Sequence, residues 1–289
     1  MAIGDRRIQY ETAGLDRAEL DSNPIDQLIL WYDQAERDGV TEPNAMVLST
    51  VDAAGTPDSR VVLARGIDEL GITFYTNRTS AKGGQLDADS RASAVFPWLQ
   101  LHRQVRIRGT VTQAPDDVSD AYFASRPRQS QIGAWASPQS QPINHREELE
   151  RLVEEVAARF EGRDVPRPPF WGGYVLSVEE IEFWQGRPSR LHDRFLYVRT
   201  NGVWTITRLA PGQPGQCRHP RRSAARVATA SARIQPAVVG LGGAGARAPH
   251  PIVDHGARRV RHHVARRDRT GALGQGARRS TRHTLPLRT

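Results

Sequence analysis

Aromatic residues stop abruptly at Trp204, and this boundary limits how much of the chain can fold. All 19 aromatic residues of the 289-residue chain lie at or before that position. The segment 212–289 holds 16 arginines and two acidic residues, a formal charge of +14. Without aromatic residues it cannot bury enough apolar surface to offset a chain entropy of about 1–2 kcal/mol per residue. The sequence therefore predicts a folded body over 1–211 and a disordered tail over 212–289.

The body has the size and composition of a soluble domain with one core. The whole chain carries +8, so residues 1–211 carry −6 and the basic character belongs to the tail. A body of this length buries roughly 70% of the surface that its unfolded chain exposes. The single cysteine, Cys217, lies in the tail, so we expect neither a disulfide within the chain nor a metal site built on cysteine. The residues after Met1 form no apolar leader and no run of 18 apolar residues follows, which predicts a cytoplasmic protein without membrane contact.

Capping residues and apolar spacing predict the helices. The dipeptide Asn23-Pro24 is typical of a helix N-terminus, and apolar residues follow it at helical spacing. Asn144 with Glu147 three residues later predicts a capping box at the start of another helix. The predicted helices begin at Pro24 and end at Gly39, span 115–125, and span 147–160.

Runs of β-forming residues alternate with turn residues through the rest of the body. Asp52–Gly55 and Asp68–Gly71 are typical of hairpin turns. Antiparallel strands of this number, with helices inserted, predict an α+β domain built on a barrel. No strand is followed by a Gly-x-Gly-x-x-Gly turn, so a dinucleotide-binding fold is not indicated. The predicted strands are 45–51, 59–65, 72–76, 92–98, 104–111, 173–177, 181–184, 195–199 and 203–209.

Cationic residues recur at the predicted strand ends beside aromatic and hydroxyl side chains. Alternation on an extended segment places Arg190, His192 and Arg194 on one face, where they repel each other unless an anion joins them. A phosphate suits such a set because arginine offers it paired hydrogen bonds. Each residue taken alone is more simply a surface cation of an arginine-rich chain, but the set together favours a phosphorylated ligand. Its members are Arg60, Arg65, Lys82, Arg126, Arg128, Arg190, His192 and Arg194.

Five segments then give a specific resemblance. They are Pro-Asn-Ala-Met-Val (43–47), Arg-Pro-Arg-Gln-Ser-Gln-Ile-Gly-Ala-Trp (126–135), Phe-Trp-Gly-Gly-Tyr (170–174), Ile-Glu-Phe-Trp-Gln-Gly-Arg-Pro-Ser-Arg-Leu-His-Asp-Arg-Phe (181–195) and Arg-Leu-Ala-Pro (208–211). Over about residues 6–211 the chain resembles the pyridoxamine/pyridoxine 5′-phosphate oxidases. The resemblance implies an FMN-binding split β-barrel over 23–211, preceded by a mobile segment over 1–22, in a homodimer with two FMN sites at the subunit interface. It also implies hydride transfer from C4′ of the substrate to flavin N5, and reoxidation by O2 with release of H2O2.

The resemblance also carries over site residues, position by position. The FMN phosphate is expected at Arg60 and Lys82. The substrate phosphate is expected at Tyr122, Arg126 and Ser130, with Arg65 shared between substrate and flavin. Arg190 and His192 are the expected catalytic residues against the pyridine ring. The remaining expected flavin contacts are Val61, Val62, Leu63, Ala64, Tyr75, Thr76, Gln104, Gln139, Ser140, Trp184 and Arg194, and the remaining substrate contacts are Leu191, Arg7 and Tyr10.

The chain departs from the family pattern in three places. Arg65 stands where the family usually has lysine, which keeps the charge but changes its shape. Ala81 replaces a basic residue that often precedes the flavin-phosphate lysine. Family chains end near Pro211, and the extension over 212–289 resembles translation of a GC-rich stretch in a non-native frame.

Two other functions fit parts of the sequence. A flavin- or deazaflavin-binding split-barrel reductase would share the flavin contacts. The residues that the resemblance assigns to the pyridoxine-phosphate pocket argue against it: Tyr122, Arg126, Ser130, Arg190 and His192. A nucleic-acid-binding protein would use the +14 tail as an electrostatic arm. Salt-dependent binding that is lost on deleting 212–289 would identify the second activity.

Overall fold

Antiparallel strands and short helices build the part of the chain that the computed structural model describes, residues 10–211. The strands are β1 (Ala45–Val51), β2 (Pro57–Asp68), β3 (Gly71–Asn77), β4 (Arg91–Trp98), β5 (Arg103–Gln113), β6 (Trp171–Gln185), β7 (Asp193–Thr200) and β8 (Val203–Arg208). The helices are α1 (Pro24–Arg37), α2 (Ala81–Ala88), α3 (Asp116–Ser125), α4 (Arg128–Ala136) and α5 (Arg146–Arg159). Arg7 and the predicted disordered tail lie outside the described residues.

Six of the strands close a barrel. Their order is β3-β2-β1-β4-β5-β6, and β6 pairs again with β3 to complete the ring. Strands β7 and β8 continue the sheet from the other half of β6, beyond the barrel. The predicted α+β fold with a split β-barrel is confirmed. No helix within residues 10–211 is long and apolar enough to span a membrane.

Alternate residues of the strands fill the barrel. Phe74, Phe96 and Phe183 are fully buried there among aliphatic side chains, and burying each such side chain stabilises the fold by about 1.5–3 kcal/mol. Helix α1 covers one side of the barrel, where Trp31 meets Phe183 edge-to-face at 5.1 Å. A second, smaller core lies beneath helices α3–α5 and contains Phe123, Ile132, Phe160, Val165 and Trp171.

The start of α1 follows the sequence prediction, whereas the start of α5 does not. Asn23 caps α1, and its Oδ1 accepts a hydrogen bond from the backbone N–H of Ile25 at 3.0 Å. Helix α5 has His145 at the capping position, with no side-chain hydrogen bond. The backbone N–H of Asn144 donates instead to Glu148, at 3.1 Å. The predicted capping box of Asn144 and Glu147 is therefore wrong.

Strand β6 is one element where the sequence predicted two. The strand runs unbroken through Glu179 and Glu180. Its pairing with β5 shifts register between Arg108 and Gly109, which makes Glu179 the extra residue of a bulge. Gly109 is required there, because a Cβ atom would lie 1.7 Å from the carbonyl oxygen of Ser177. One continuous strand therefore links the barrel to the extension formed by β7 and β8.

Candidate active site

A cleft of about 540 Å³ opens on the side of the barrel, and most of the expected phosphate-binding residues line it. Strands β2 and β3 form one wall, the start of α2 lies at one end, and the α3–α4 region forms the opposite wall. The lining residues are Arg60, Val61, Val62, Leu63, Arg65, Tyr75, Thr76, Lys82, Tyr122, Ser125, Arg126, Pro127, Ser130, Gln139 and Trp171. Within residues 10–211 the fold thus brings together segments that are up to 111 residues apart.

Arg60 is held rigidly at one end of the cleft. Its Nη1 donates to the hydroxyl of Thr50 at 2.6 Å, and its Nη2 donates to Oε1 of Gln85 at 3.0 Å. Asp58 forms an ion pair with the same guanidinium. These three partners come from β1, β2 and α2, so the fold fixes the position of this charge without a ligand.

Lys82 lies near Arg60, in the first turn of α2. Ser80 caps this helix by accepting a hydrogen bond from Gly83 N–H at 3.3 Å. The Nζ of Lys82 donates to Thr76 Oγ1 and to Gln139 Oε1, each at 3.2 Å. Burial, and next the positive charge of Arg60, lower the pKa of Lys82 from its ordinary value of 10.5. An anion between the two cations would remove this repulsion.

Stacked aromatic rings from β3, α3 and β6 line another part of the cleft. Tyr75 and Tyr122 stack with ring centroids 3.8 Å apart, and Trp171 lies 5.5 Å from Tyr75 in a nearly parallel plane. Gly173 leaves room for this stack, because a Cβ atom there would approach Tyr75 Cε1 to 2.8 Å. All three aromatic residues of this stack line the cleft.

Arg126 covers the end of this stack. Its guanidinium carbon lies 4.7 Å from the ring centroid of Trp171, and its Nη1 is buried with no hydrogen-bond partner. Burial lowers the pKa of Arg126, and the nearby positive charge of Arg65 adds to the effect against the opposing influence of Tyr122. A buried charged donor without an acceptor costs free energy. The cleft therefore has a second place that suits an oxyanion.

Arg65 is carried by an irregular part of β2. The register between β2 and β3 shifts between Ala64 and Gly66, which leaves Arg65 as the extra residue of a β-bulge. Its side chain is exposed, and it lines both the main cleft and a smaller cavity of about 380 Å³ beside Tyr32 of α1. Ala64 lines only the smaller cavity.

The other expected flavin residues form a separate group on the sheet extension. Gln104, Trp184 and Arg194 are direct neighbours across β5, β6 and β7 and share one sheet face. The Nε of Arg194 donates to Glu182 Oε1 at 2.7 Å. Glu182 is only 3% exposed and also pairs with Arg106, so one buried carboxylate holds two arginines. The sequence did not single out Glu182, because a lone acidic residue in a strand carries no pattern.

The loop between β6 and β7 presents Arg190, Leu191 and His192. Ser189 and Arg190 adopt left-handed backbone conformations, with φ of 55° and 63°. The Nδ1 of His192 accepts a hydrogen bond from the backbone N–H of Arg187 at 3.1 Å, so its neutral ring carries the proton on Nε2. Burial, and next the charge of Arg190, lower the pKa of His192 from 6.5. Both features favour a neutral imidazole that donates a hydrogen bond from Nε2.

Tyr10 lies over the same loop. Its ring centroid is 5.8 Å from that of His192 and 6.2 Å from that of Trp184. Within residues 10–211, Tyr10 and its neighbours Trp184 and His192 lie outside the cleft lining. Strand β6 links the two groups, because Arg126 packs on Trp171 at its start and Trp184 lies near its end. The expected residues outside the cleft lining are Tyr10, Ala64, Gln104, Ser140, Trp184, Arg190, Leu191, His192 and Arg194.

The closed six-stranded barrel with its cation-lined cleft places this chain in the class of split-barrel proteins. Comparisons with known proteins identify its family. The family model described as pyridoxamine 5′-phosphate oxidase matches residues 32–160. The model described as the pyridoxine 5′-phosphate oxidase C-terminal dimerisation region matches residues 171–211. The chain belongs to the pyridoxamine 5′-phosphate oxidase family.

Relatives and a solved structure agree with this assignment. The pyridoxine/pyridoxamine 5′-phosphate oxidase of Rubrobacter xylanophilus is 52% identical over 205 residues, 71% of this chain and 94% of that protein. The protein of the same name from Paraburkholderia phymatum is 51% identical over 210 residues, 72% of this chain and 99% of its own. The crystal structure of PhzG from Burkholderia lata, in complex with tetrahydrophenazine-1-carboxylic acid, is 34% identical, with a TM-score of 0.64. That match covers 67% of this chain and 95% of PhzG.

Proposed function

We propose that this protein oxidises pyridoxamine 5′-phosphate and pyridoxine 5′-phosphate to pyridoxal 5′-phosphate, with FMN as cofactor, O2 as electron acceptor and H2O2 as product. The observation that carries the proposal is the pair of cationic places in one cleft. Arg60 and Lys82 form the first, and Arg126 with its unpaired Nη1 forms the second. Two phosphate monoesters, one on the cofactor and one on the substrate, match this arrangement.

The first place fits the FMN phosphate. Arg60 and Lys82 would bind it with charge-assisted hydrogen bonds, each contributing about 1.5–3 kcal/mol. Thr76 and Gln139, which already bond to Lys82, would then be free to turn towards the ligand. When bound, FMN supplies the ring that accepts a hydride and passes electrons to O2. The other proposed flavin contacts are Val61, Val62, Leu63, Ala64, Arg65, Tyr75, Gln104, Ser140, Trp184 and Arg194.

The second place fits the substrate phosphate. Arg126 would donate from its guanidinium, and Tyr122 and Ser130 would add hydroxyl donors in the same cleft. The exposed side chain of Arg65, on its bulge, would add a positive charge between substrate and flavin. Phosphate binding here orients the rest of the substrate and so fixes where its reacting carbon lies.

His192 and Arg190 would act on the substrate ring. The neutral imidazole of His192 would donate from Nε2, since its Nδ1 already accepts from Arg187. The exposed guanidinium of Arg190 would favour negative charge on the ring substituents. Leu191 and Tyr10 would exclude water from the same space, and Arg7 is proposed to join them.

A homodimer would bring the two groups of residues together. Residues 171–211 match a dimerisation region and include Trp184, Arg190, His192 and Arg194. Val61, Val47 and Val95 lie side by side on the outer face of β2, β1 and β4, and Val61 is 64% exposed. We infer that this outer face meets a second copy, so that the β6–β7 loop of one protomer completes the cleft of its partner.

The proposal is tested with the purified full chain, FMN and each phosphorylated vitamer. We expect a yellow dimer by light scattering, O2 consumption, and formation of pyridoxal 5′-phosphate. A yellow protein that leaves both vitamers unchanged but reduces another substrate would support a split-barrel reductase instead. A reduced tricyclic carboxylate belongs in the same assay, because PhzG was crystallised with such a compound. Preference for it over both vitamers would contradict the proposal.

A further inference from the structure

Tyr10 is surrounded by three rings, and one of them, His102, lies outside every residue set assigned above. The Tyr10 and His102 rings stack with centroids 4.2 Å apart and an interplanar angle of 27°. Trp184 meets Tyr10 edge-on at 6.2 Å, and His192 lies 5.8 Å away. Of these three rings, His102 therefore makes the closest contact with Tyr10. It is the residue immediately before β5.

The backbone around His102 is built to hold this ring in place. His102 follows the short 3-10 turn Leu99–Leu101 and adopts a left-handed conformation, with φ of 51°. Its carbonyl accepts hydrogen bonds from Gly186 N–H at 2.7 Å and from Gln185 Nε2 at 3.2 Å. A Cβ atom at Gly186 would lie 2.6 Å from Tyr10 Cδ2 and 2.9 Å from His102 Cβ. Glycine at 186 thus leaves the space in which both rings stack.

The segment after Tyr10 is fixed to the loop that carries His192. The Thr12 hydroxyl donates to the carbonyl of Gly186 at 2.5 Å, and the Ala13 carbonyl accepts from Arg187 Nη1 at 2.7 Å. Leu15 N–H donates to Asp193 Oδ2 at 3.0 Å. Residues 10–15, called the strap here, therefore contact both ends of the β6–β7 loop.

We propose that His102 is a positioning residue for the strap: its ring is the platform that holds Tyr10 over Trp184 and His192. Loss of the platform would free Tyr10, loosen the start of the strap and weaken closure over the bound substrate, without removing any group that touches flavin phosphate. The inference about substrate rests on the proposed function, whereas the inference about the strap rests on the contacts alone. The two parts can therefore be tested separately.

The variants His102→Asn and His102→Phe separate the ring from the backbone. Asparagine tolerates the left-handed conformation but has no ring, and phenylalanine keeps a flat ring. His145→Asn is the matched control, because His145 is exposed and makes no side-chain capping bond. A stacked aromatic pair contributes enough to change an equilibrium by about 2- to 10-fold.

Hydrogen exchange of the strap gives a readout without substrate. We expect amides of residues 10–15 to exchange about 2- to 10-fold faster in His102→Asn. His102→Phe and His145→Asn should match the unchanged protein. Equal exchange in His102→Asn and the unchanged protein would overturn the proposal.

Kinetics give the second readout. In the FMN-loaded enzyme, His102→Asn should raise KM for pyridoxamine 5′-phosphate by about 2- to 10-fold with kcat and FMN affinity kept. Tyr10→Ala should have a similar effect, and the double variant should add little, because both changes remove one stack. Fully additive effects would contradict the platform role. An unchanged protein inactive towards both vitamers would instead overturn the proposed function, while the exchange result would still decide the role of His102.

Discussion

The guanidinium of Arg126 lies 4.7 Å from the ring centroid of Trp171, with its Nη1 buried and without a hydrogen-bond partner. The aromatic stack therefore holds the guanidinium of Arg126, a residue of the cleft lining, at a fixed place. Such preorganisation reduces the ordering that ligand binding would otherwise require.

Arg126→Ala should raise KM for both phosphorylated vitamers by about 10- to 100-fold, the loss of a hydrogen bond to a charged group. FMN binding should change little, because Arg60 and Lys82 are retained. The matched control is Arg128→Ala. Arg128 donates to the carbonyls of Phe160 and Arg163 at the end of α5, so its loss should lower stability and leave KM unchanged. Steady-state kinetics on both variants decide this, and equal KM effects would contradict the assignment.

FMN affinity should depend on alkaline pH through Lys82. Burial and Arg60 lower the pKa of Lys82 in the free protein, whereas a bound phosphate favours the ammonium form and raises that pKa. Between these two values, binding takes up a proton. Affinity should therefore fall as pH rises, by up to about tenfold per pH unit, beginning below the ordinary pKa of 10.5.

Flavin-fluorescence titrations between pH 7 and pH 10 measure this dependence. Lys82→Arg is the control, because an arginine stays charged throughout that range. Its affinity for FMN should be independent of pH there. If the alkaline loss persists in Lys82→Arg, another group is responsible.

The pKa of His192 should respond to Arg190. Removing the positive charge in Arg190→Gln should raise the pKa of His192 towards 6.5, because that charge is the second cause of its depression after burial. An NMR titration of the imidazole measures the midpoint in both proteins. Arg199→Gln, near the far end of β7, is a control that removes the same charge about 20 Å along the strand. A midpoint that stays the same in Arg190→Gln would show that burial alone accounts for the shift.

Two truncations should separate the tail from the end of the sheet. A chain that ends after Pro211 should keep flavin binding and turnover, since the composition of 212–289 predicts no folded structure. A chain that ends after Arg208 should bind FMN more weakly. It loses the bond from Leu209 N–H to the Arg194 carbonyl and the bond from Arg194 Nη1 to Ala210, at 2.8 and 3.2 Å. Loss of flavin from the chain that ends after Pro211 would show that the tail contributes to flavin binding.

The strands could be predicted from the sequence because local chemistry marks them. Asp52 Oδ1 accepts hydrogen bonds from the N–H groups of Ala54 and Thr56, so the first hairpin turn is encoded within five residues. Helix α2 was missed because Gly83 and Gly84 lower helix propensity. Gly83 is required by its surroundings, since a Cβ there would lie 2.0 Å from the Arg78 carbonyl.

The candidate site could be predicted only in part. Resemblance supplied its residues, and the fold brought Arg60, Lys82 and Arg126 to one cleft, as a phosphate site requires. No pattern in the sequence indicated that Trp184 and Arg194 would lie in a group separate from this cleft. Contacts such as that of His102 with Tyr10 join positions 92 residues apart without any motif. Such pairs depend on tertiary packing, which no local pattern encodes.

Strand β6 carries residues of both groups, with Trp171 at one end and Trp184 near the other. In the proposed dimer, the two ends of this strand serve different active sites, which makes complementation between two differently impaired subunits possible. At a pyridoxamine 5′-phosphate concentration well below the raised KM of Arg126→Ala, we expect neither Arg126→Ala nor His192→Ala alone to turn over at the normal rate. In a hybrid of the two, one site has both defects and the other has neither. Random mixing of equal amounts should therefore leave about a quarter of all sites free of both substitutions, whereas sites built from single subunits would recover none.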